Sequence, residues 1–126
     1  VIAAARMGRL TATVVSAGAL LALTACAQAP KPLYYWGSFP STAYDTLRGD
    51  EKGPLDQLRA MDEQAEKAKA AGLPLPPGFH AHLGLVYLKL GRQDDARRAW
   101  QTERERFPES ATYIDSLMKR LETQKS

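Results

Sequence analysis

Residues 79–108, FHAHLGLVYLKLGRQDDARRAWQTERERFP, decide the fold. Phe79, His82, Leu83, Val86, Tyr87 and Leu90 recur at steps of three and four, which lays one apolar stripe along a helix. Gly91 ends that helix. A second, from Gln93 to Arg106, sets Ala96, Ala99, Trp100 and Phe107 on its inner side, and Pro108 closes it because proline cannot continue the hydrogen-bonded ladder. Two amphipathic helices on either side of a glycine turn bury their stripes against each other. Gly84 and Ala96 are small enough to let them approach, while Tyr87 and Trp100 fill the wedge between them.

Working outward, a third helix starting at Glu109 or Ser110 places Tyr113, Ile114, Leu117, Met118 and Leu121 inward, and Glu122 to Ser126 should fray. Upstream, Pro54 to Ala71 carries Leu55, Leu58, Met61, Ala65 and Ala68 at helical spacing, with Glu63, Glu66, Lys67 and Lys69 on a solvated face. Gly72 ends it, and the proline-rich run Leu73 to Gly78 keeps the chain out of helix until Phe79. Pro40 to Arg48 reads as a short helix capped by Ser38 or Ser41, with Tyr44 and Leu47 as its apolar face and Gly49 to Gly53 as a turn. The class this predicts is all-α.

Leu83-Gly84, Tyr87, Gly91, Ala96, Trp100 and Pro108 resemble the tetratricopeptide repeat in order and spacing, and Pro74 stands 34 residues before Pro108, one repeat length. The resemblance implies tetratricopeptide-like helical hairpins, with Pro40–Ala71 as a worn preceding pair and Glu109–Thr123 as a C-terminal cap helix that solvates the end of the stack. Phe79 or His80 stands where the repeat often has Trp, and Glu103 replaces a usual small residue.

The start of the chain has a different grammar. Val1 to Ala25 holds no acidic residue, carries Arg6 and Arg9, and runs apolar from Leu10 to Leu23. That is the charged and then apolar pattern of an export signal. Met7 is an alternative start. The run is about 14 residues against roughly 20 for a membrane-spanning helix, so cleavage is the better reading. Leu23-Thr24-Ala25-Cys26 resembles the bacterial lipobox. It implies acylation of the Cys26 thiol and cleavage between Ala25 and Cys26. The covalent lipid is the only non-protein group expected, and it would anchor the chain to a membrane. Ala27 after the cysteine implies, by resemblance to enterobacterial sorting, the outer membrane on its periplasmic side. The expected division is therefore 1–25 signal peptide, 26–37 tether and aromatic cluster, 38–123 helical domain and 124–126 tail.

Losing Arg6 and Arg9 from 17 Lys and Arg leaves about 15 against 14 Asp and Glu, so no electrostatic footprint for nucleic acid remains. With one cysteine the chain forms no internal disulfide. His80 and His82, two apart on a helix, point to nearly opposite sides and cannot chelate one metal ion as a pair. His82 falls on the apolar stripe and reads as a core histidine; His80 belongs at the surface or against the preceding prolines. Asp94 and Asp95 suit a helix start. With no phosphate loop and no nucleophile–base set, the chain reads as a non-enzyme.

The lipobox, Tyr34-Tyr35-Trp36-Gly37-Ser38, Pro76-Pro77-Gly78-Phe79-His80-Ala81-His82-Leu83-Gly84 and Phe107-Pro108-Glu109-Ser110 together resemble a family of small bacterial lipoproteins of unknown function. The resemblance implies an accessory subunit encoded beside a CsgG-type lipoprotein, which is then the expected protein partner. Two functions are open: a protein-interaction module, and a lipoprotein that binds or activates something on peptidoglycan or another envelope glycan. Tyr34, Tyr35 and Trp36, too short a cluster for a core of their own, either pack on the helical body or form one candidate partner surface, with Tyr35 and Trp36 stacking on sugar rings in the second reading. His80, Ala81, Leu85 and Lys89, on the side of the repeat's first helix that should line a groove, form another.

Overall fold

A computed structural model describes residues 29–49 and 52–124. The signal-peptide and lipidation expectations at Val1–Ala25 and Cys26 lie outside the described residues, as do residues 125 and 126 of the tail. The chain divides into two units between Pro32 and Leu33. Of the first, Ala29 to Pro32 is described, without regular structure and exposed. The second holds five α-helices, α1 Phe39–Arg48, α2 Pro54–Ala70, α3 Phe79–Lys89, α4 Gln93–Arg106 and α5 Ala111–Thr123, with a 3-10 turn at Pro108–Ser110. No strand occurs among the described residues, so the fold is all-α.

The most extensive helix contact joins α3 to α4, and a single glycine makes their closeness possible. A Cβ on Gly84 would lie 2.1 Å from Nε1 of Trp100. The indole instead occupies that space, 1% exposed, and donates its N–H to the Ala81 carbonyl at 3.0 Å. Ala96, fully buried, lines the same contact face of α4. The turn between them is sequence-encoded: Gly91 has φ +73°, Gly91 N–H bonds Leu88 O, and Arg92 N–H bonds Tyr87 O. This pairing satisfies the last carbonyls of α3 and requires a left-handed residue at the glycine. Gly72 ends α2 in the same way, through Gly72 N–H to Lys69 O and Leu73 N–H to Ala68 O.

α3 is buried on two sides. Phe79 and Val86, with Leu83 and Leu90, pack against Met61, Leu58 and Ala65 of α2. Ala81, with Leu85 and Leu88, packs against Trp100 and against Ile114, Leu117, Met118 and Leu121 of α5. A helix apolar nearly all round is a central helix. The predicted stripe found the first of these sides and overlooked the second.

Three expectations about burial are corrected. Tyr44 and Leu47 do not face inward: α1 turns Phe39, Thr42, Ala43 and Thr46 toward the body, and Leu47 is 86% exposed. Phe39 sets this rotation, its ring 5.5 Å from that of Phe79 and 6.1 Å from that of His82. Leu55 is exposed, because the inner face of α2 is Gln57, Leu58, Met61, Gln64, Ala65 and Ala68. Tyr113 is exposed as well, while Ile114 and Leu121 carry the burial of α5. Fraying expected from Glu122 is placed too early, since α5 continues to Thr123.

Candidate functional site

The residues from Leu33 to Ser38 form a strap held to the helices by polar bonds. Tyr35 N–H donates to Pro74 O at 2.8 Å. Gln64, 96% buried on α2, uses both ends of its carboxamide: Nε2 donates to Trp36 O at 3.0 Å, and Oε1 accepts from Ser38 Oγ at 3.1 Å. Gly37 takes φ +46° where a Cβ would lie 2.8 Å from the Tyr35 ring and 3.2 Å from the Gln64 carboxamide. Ser38 therefore stands at the start of α1 without a side-chain cap bond, because its hydroxyl is committed to the strap. Tyr34 meets Phe107 edge-on at 5.9 Å and Trp36 at 6.3 Å.

This arrangement splits the aromatic cluster. Tyr34 and Tyr35 are half-buried, whereas Trp36 is 46% exposed and Leu33 more so. With Tyr44, Leu47 and Leu55 they place five of the six large exposed apolar residues among the described residues between positions 33 and 55; Tyr113 is the sixth. Tyr44 and Leu47 are one helical turn apart on α1 and share its outward face. The Arg48 guanidinium lies 5.6 Å from the Tyr44 ring centroid.

The second predicted surface is less available than expected. Ala81 is buried, and Leu85 is half-buried against the α5 cluster. Lys89 is exposed. His80 is half-buried beside Phe79, with Nε2 lacking a hydrogen-bond partner. Burial, and secondarily the charge of Arg106, lowers its pKa to about 4, so the ring is neutral near pH 7. His82 is half-buried with its ring against Phe39. The two histidines do not share a site.

Most of the repeat-packing residues come together. Gly84, Gly91, Ala96 and Trp100 lie at the α3–α4 junction and Tyr87 lies under Arg92 at its turn, whereas Leu83 packs on the other side of α3 against α2; Pro108 opens the 3-10 turn. Arg92 sits 4.8 Å over the Tyr87 ring and pairs with Asp95, which explains one of the two acidic residues at the start of α4. That pairing is the main cause lowering the Asp95 pKa.

The sequence matches the family described as Domain of unknown function (DUF4810) over residues 33–117. The chain belongs to that family. The match begins at Leu33, so the DUF4810 domain includes the strap along with the helices. No curated protein and no solved structure matches the chain.

Two residues that organise the DUF4810 domain went unrecognised in the sequence. Glu103 is 1% exposed, and its carboxylate accepts from the backbone N–H groups of Gly78 at 2.6 Å, His80 at 3.1 Å and Ala81 at 3.3 Å. A side chain of α4 thus supplies the acceptor that the N-terminus of α3 lacks locally, since its cap residue is glycine. Its departure from the repeat pattern was the available signal. Gln64 is the other, and its signal was a carboxamide in step with Met61 and Ala68 on an apolar face.

Proposed function

We propose that this DUF4810 protein is a membrane-anchored protein-interaction module of the bacterial envelope, an accessory subunit of a lipoprotein assembly, acylated at Cys26 and carrying tetratricopeptide-like hairpins. One observation carries the interaction reading: five of the six large exposed apolar residues among the described residues fall within positions 33–55, on the strap, the outward face of α1 and the first turn of α2. Isolated apolar residues on a surface need no explanation, but a gathered set points to a partner. The repeat reading is supported by the Gly84–Trp100 contact, the Gly91 turn, buried Ala96 and Pro108 after α4. α5, packed against α4 and closing the cluster around Ala81 and Trp100, has a polar outer side and suits the cap role. The lipobox supports the anchor, and resemblance supports a CsgG-type lipoprotein as partner.

Native protein extracted from envelope membranes tests both parts. Mass spectrometry should find an acylated cysteine as the amino terminus, and the extract should contain the protein in a stoichiometric complex that Leu47→Asp dissociates. An intact residue before Cys26 without acyl mass contradicts the anchor. A monomer, or a complex indifferent to Leu47→Asp, contradicts the interaction surface.

The glycan reading has weaker support. Trp36 is exposed enough to stack on a sugar, but Tyr35 is half-buried in the strap. Retention on peptidoglycan lost with Trp36→Ala, without a protein partner, would favour it.

A further inference from the structure

Between α1 and α2 lies a cleft of about 210 Å³, below the roughly 300 Å³ of the smallest drug-sized pockets and suited to the tip of a side chain. Ser38, Ser41, Thr42, Asp45 and Thr46 line it on one side; Lys52, Asp56, Gln57 and Ala60 line the other. Gln57 is 4% exposed, and its Nε2 is spent on Lys52 O at 2.6 Å. Gln57 lines the cleft, and its Oε1, itself shielded from solvent, has no hydrogen-bond partner among the described residues.

The hydroxyls fix what the cleft wants. Ser41 and Thr42 donate to Ser38 O, Thr46 donates to Thr42 O, and Ser38 donates to Gln64 Oε1. Each has one proton and has used it on the protein, so each turns only lone pairs outward. Two carboxylates, Asp45 and Asp56, add acceptors; Asp56 also lies 3.6 Å from Arg59. Among the described residues, Lys52 is the one cation of the lining. The cleft therefore offers acceptors with one buried carbonyl without a donor behind them, and two carboxylates, of which Asp56 lies beside Arg59 while Asp45 faces the cleft.

We propose that this cleft binds a cationic hydrogen-bond donor, an alkylammonium or guanidinium group. The chemistry rests on the cleft; the source we favour, a basic side chain of a partner protein, rests on the interaction-module reading. A free polyamine is the other source of the same chemistry.

Full-length lipidated protein in detergent micelles, labelled with ¹⁵N, would be titrated with N-acetyl-arginine amide, with cadaverine and with the neutral isostere N-acetyl-citrulline amide. Saturable shifts at Ser41, Thr42, Asp45 and the Gln57 carboxamide are expected with a cation, and about ten-fold weaker binding with the citrulline probe. Preference for the arginine probe assigns the cation to a protein side chain, and preference for cadaverine assigns it to a polyamine; either supports the site. Gln57→Met should abolish the shifts but could also disturb α2. The exposed Asp45→Asn avoids that difficulty and should weaken binding about five-fold. No saturable shift with either cation, equal binding of the citrulline probe, or unchanged affinity in Asp45→Asn would overturn the proposal. Cation binding without any envelope partner would sink the interaction module and leave the cleft standing. A partner complex without cation binding would do the reverse.

Discussion

The strap with α1 and α2, and the hairpin of α3 and α4 with α5, solve the same packing problem by different chemistry. The hairpin is joined by shape: Trp100 fills the space that Gly84 vacates, Ile114 and Leu121 close the far side, and the one buried charge, Glu103, meets three backbone donors. The strap and α1 are held by the single Gln64 carboxamide and by Phe39 against Phe79, and α1 buries no residue fully. Apolar contact is dense in one region and left facing solvent in the other. A surface that has packed itself has little to offer a partner, so the loosely held region is the one available for docking.

The contrast breaks most severely at Gly84. Because even a Cβ collides with the indole, Gly84→Leu should cost about 3 kcal/mol or more and lower the melting temperature by roughly 10 °C or more in a domain of this size. A wild-type melting curve would show that the two helices are not in contact. Glu103→Leu comes next: it strands three buried N–H groups, at about 2–3 kcal/mol by chemical denaturation, with Glu103→Gln costing less because a carboxamide oxygen still accepts.

Acid sharpens the comparison through His80. Its folded pKa of about 4 lies below the ordinary 6.5, so the unfolded chain binds the extra proton first. The stabilising effect of the neutral ring is complete above pH 6.5 and is lost as pH falls toward 4. Discounted for its partial exposure, the loss should be about 1–2 kcal/mol. His80→Phe should flatten the stability curve between pH 7 and 4, and a slope identical to the wild type would count against the burial of this ring.

Gln64→Ala should act on the other region. Unclasping the strap should cost about 1 kcal/mol of local stability and speed hydrogen exchange across residues 33–48 while leaving 79–106 unchanged. Uniform acceleration would mean the two regions are not separately held.

What the sequence made legible follows the same division. Periodicity and glycine placement located all five helices, and Gly84, Gly91, Ala96 and Trp100 could be assigned to the hairpin because shape-based packing leaves a pattern of small and large residues. The rotation of α1 was misread for the converse reason. Tyr44 and Leu47 make an apolar face by spacing, but Phe39 and the Gln64 clasp decide the rotation of α1. Polar residues that build an interior look like surface when read by hydropathy. Glu103 and Gln64 were hidden in this way, and so was the acceptor-rich cleft at Gln57.

A photoreactive residue in intact cells tests the docking claim most directly. Placed at position 47, it should crosslink the chain to an envelope protein; placed at position 113, exposed but outside the 33–55 region, it should not. Crosslinks at 113 with none at 47 would put the docking surface on the hairpin side and contradict the account.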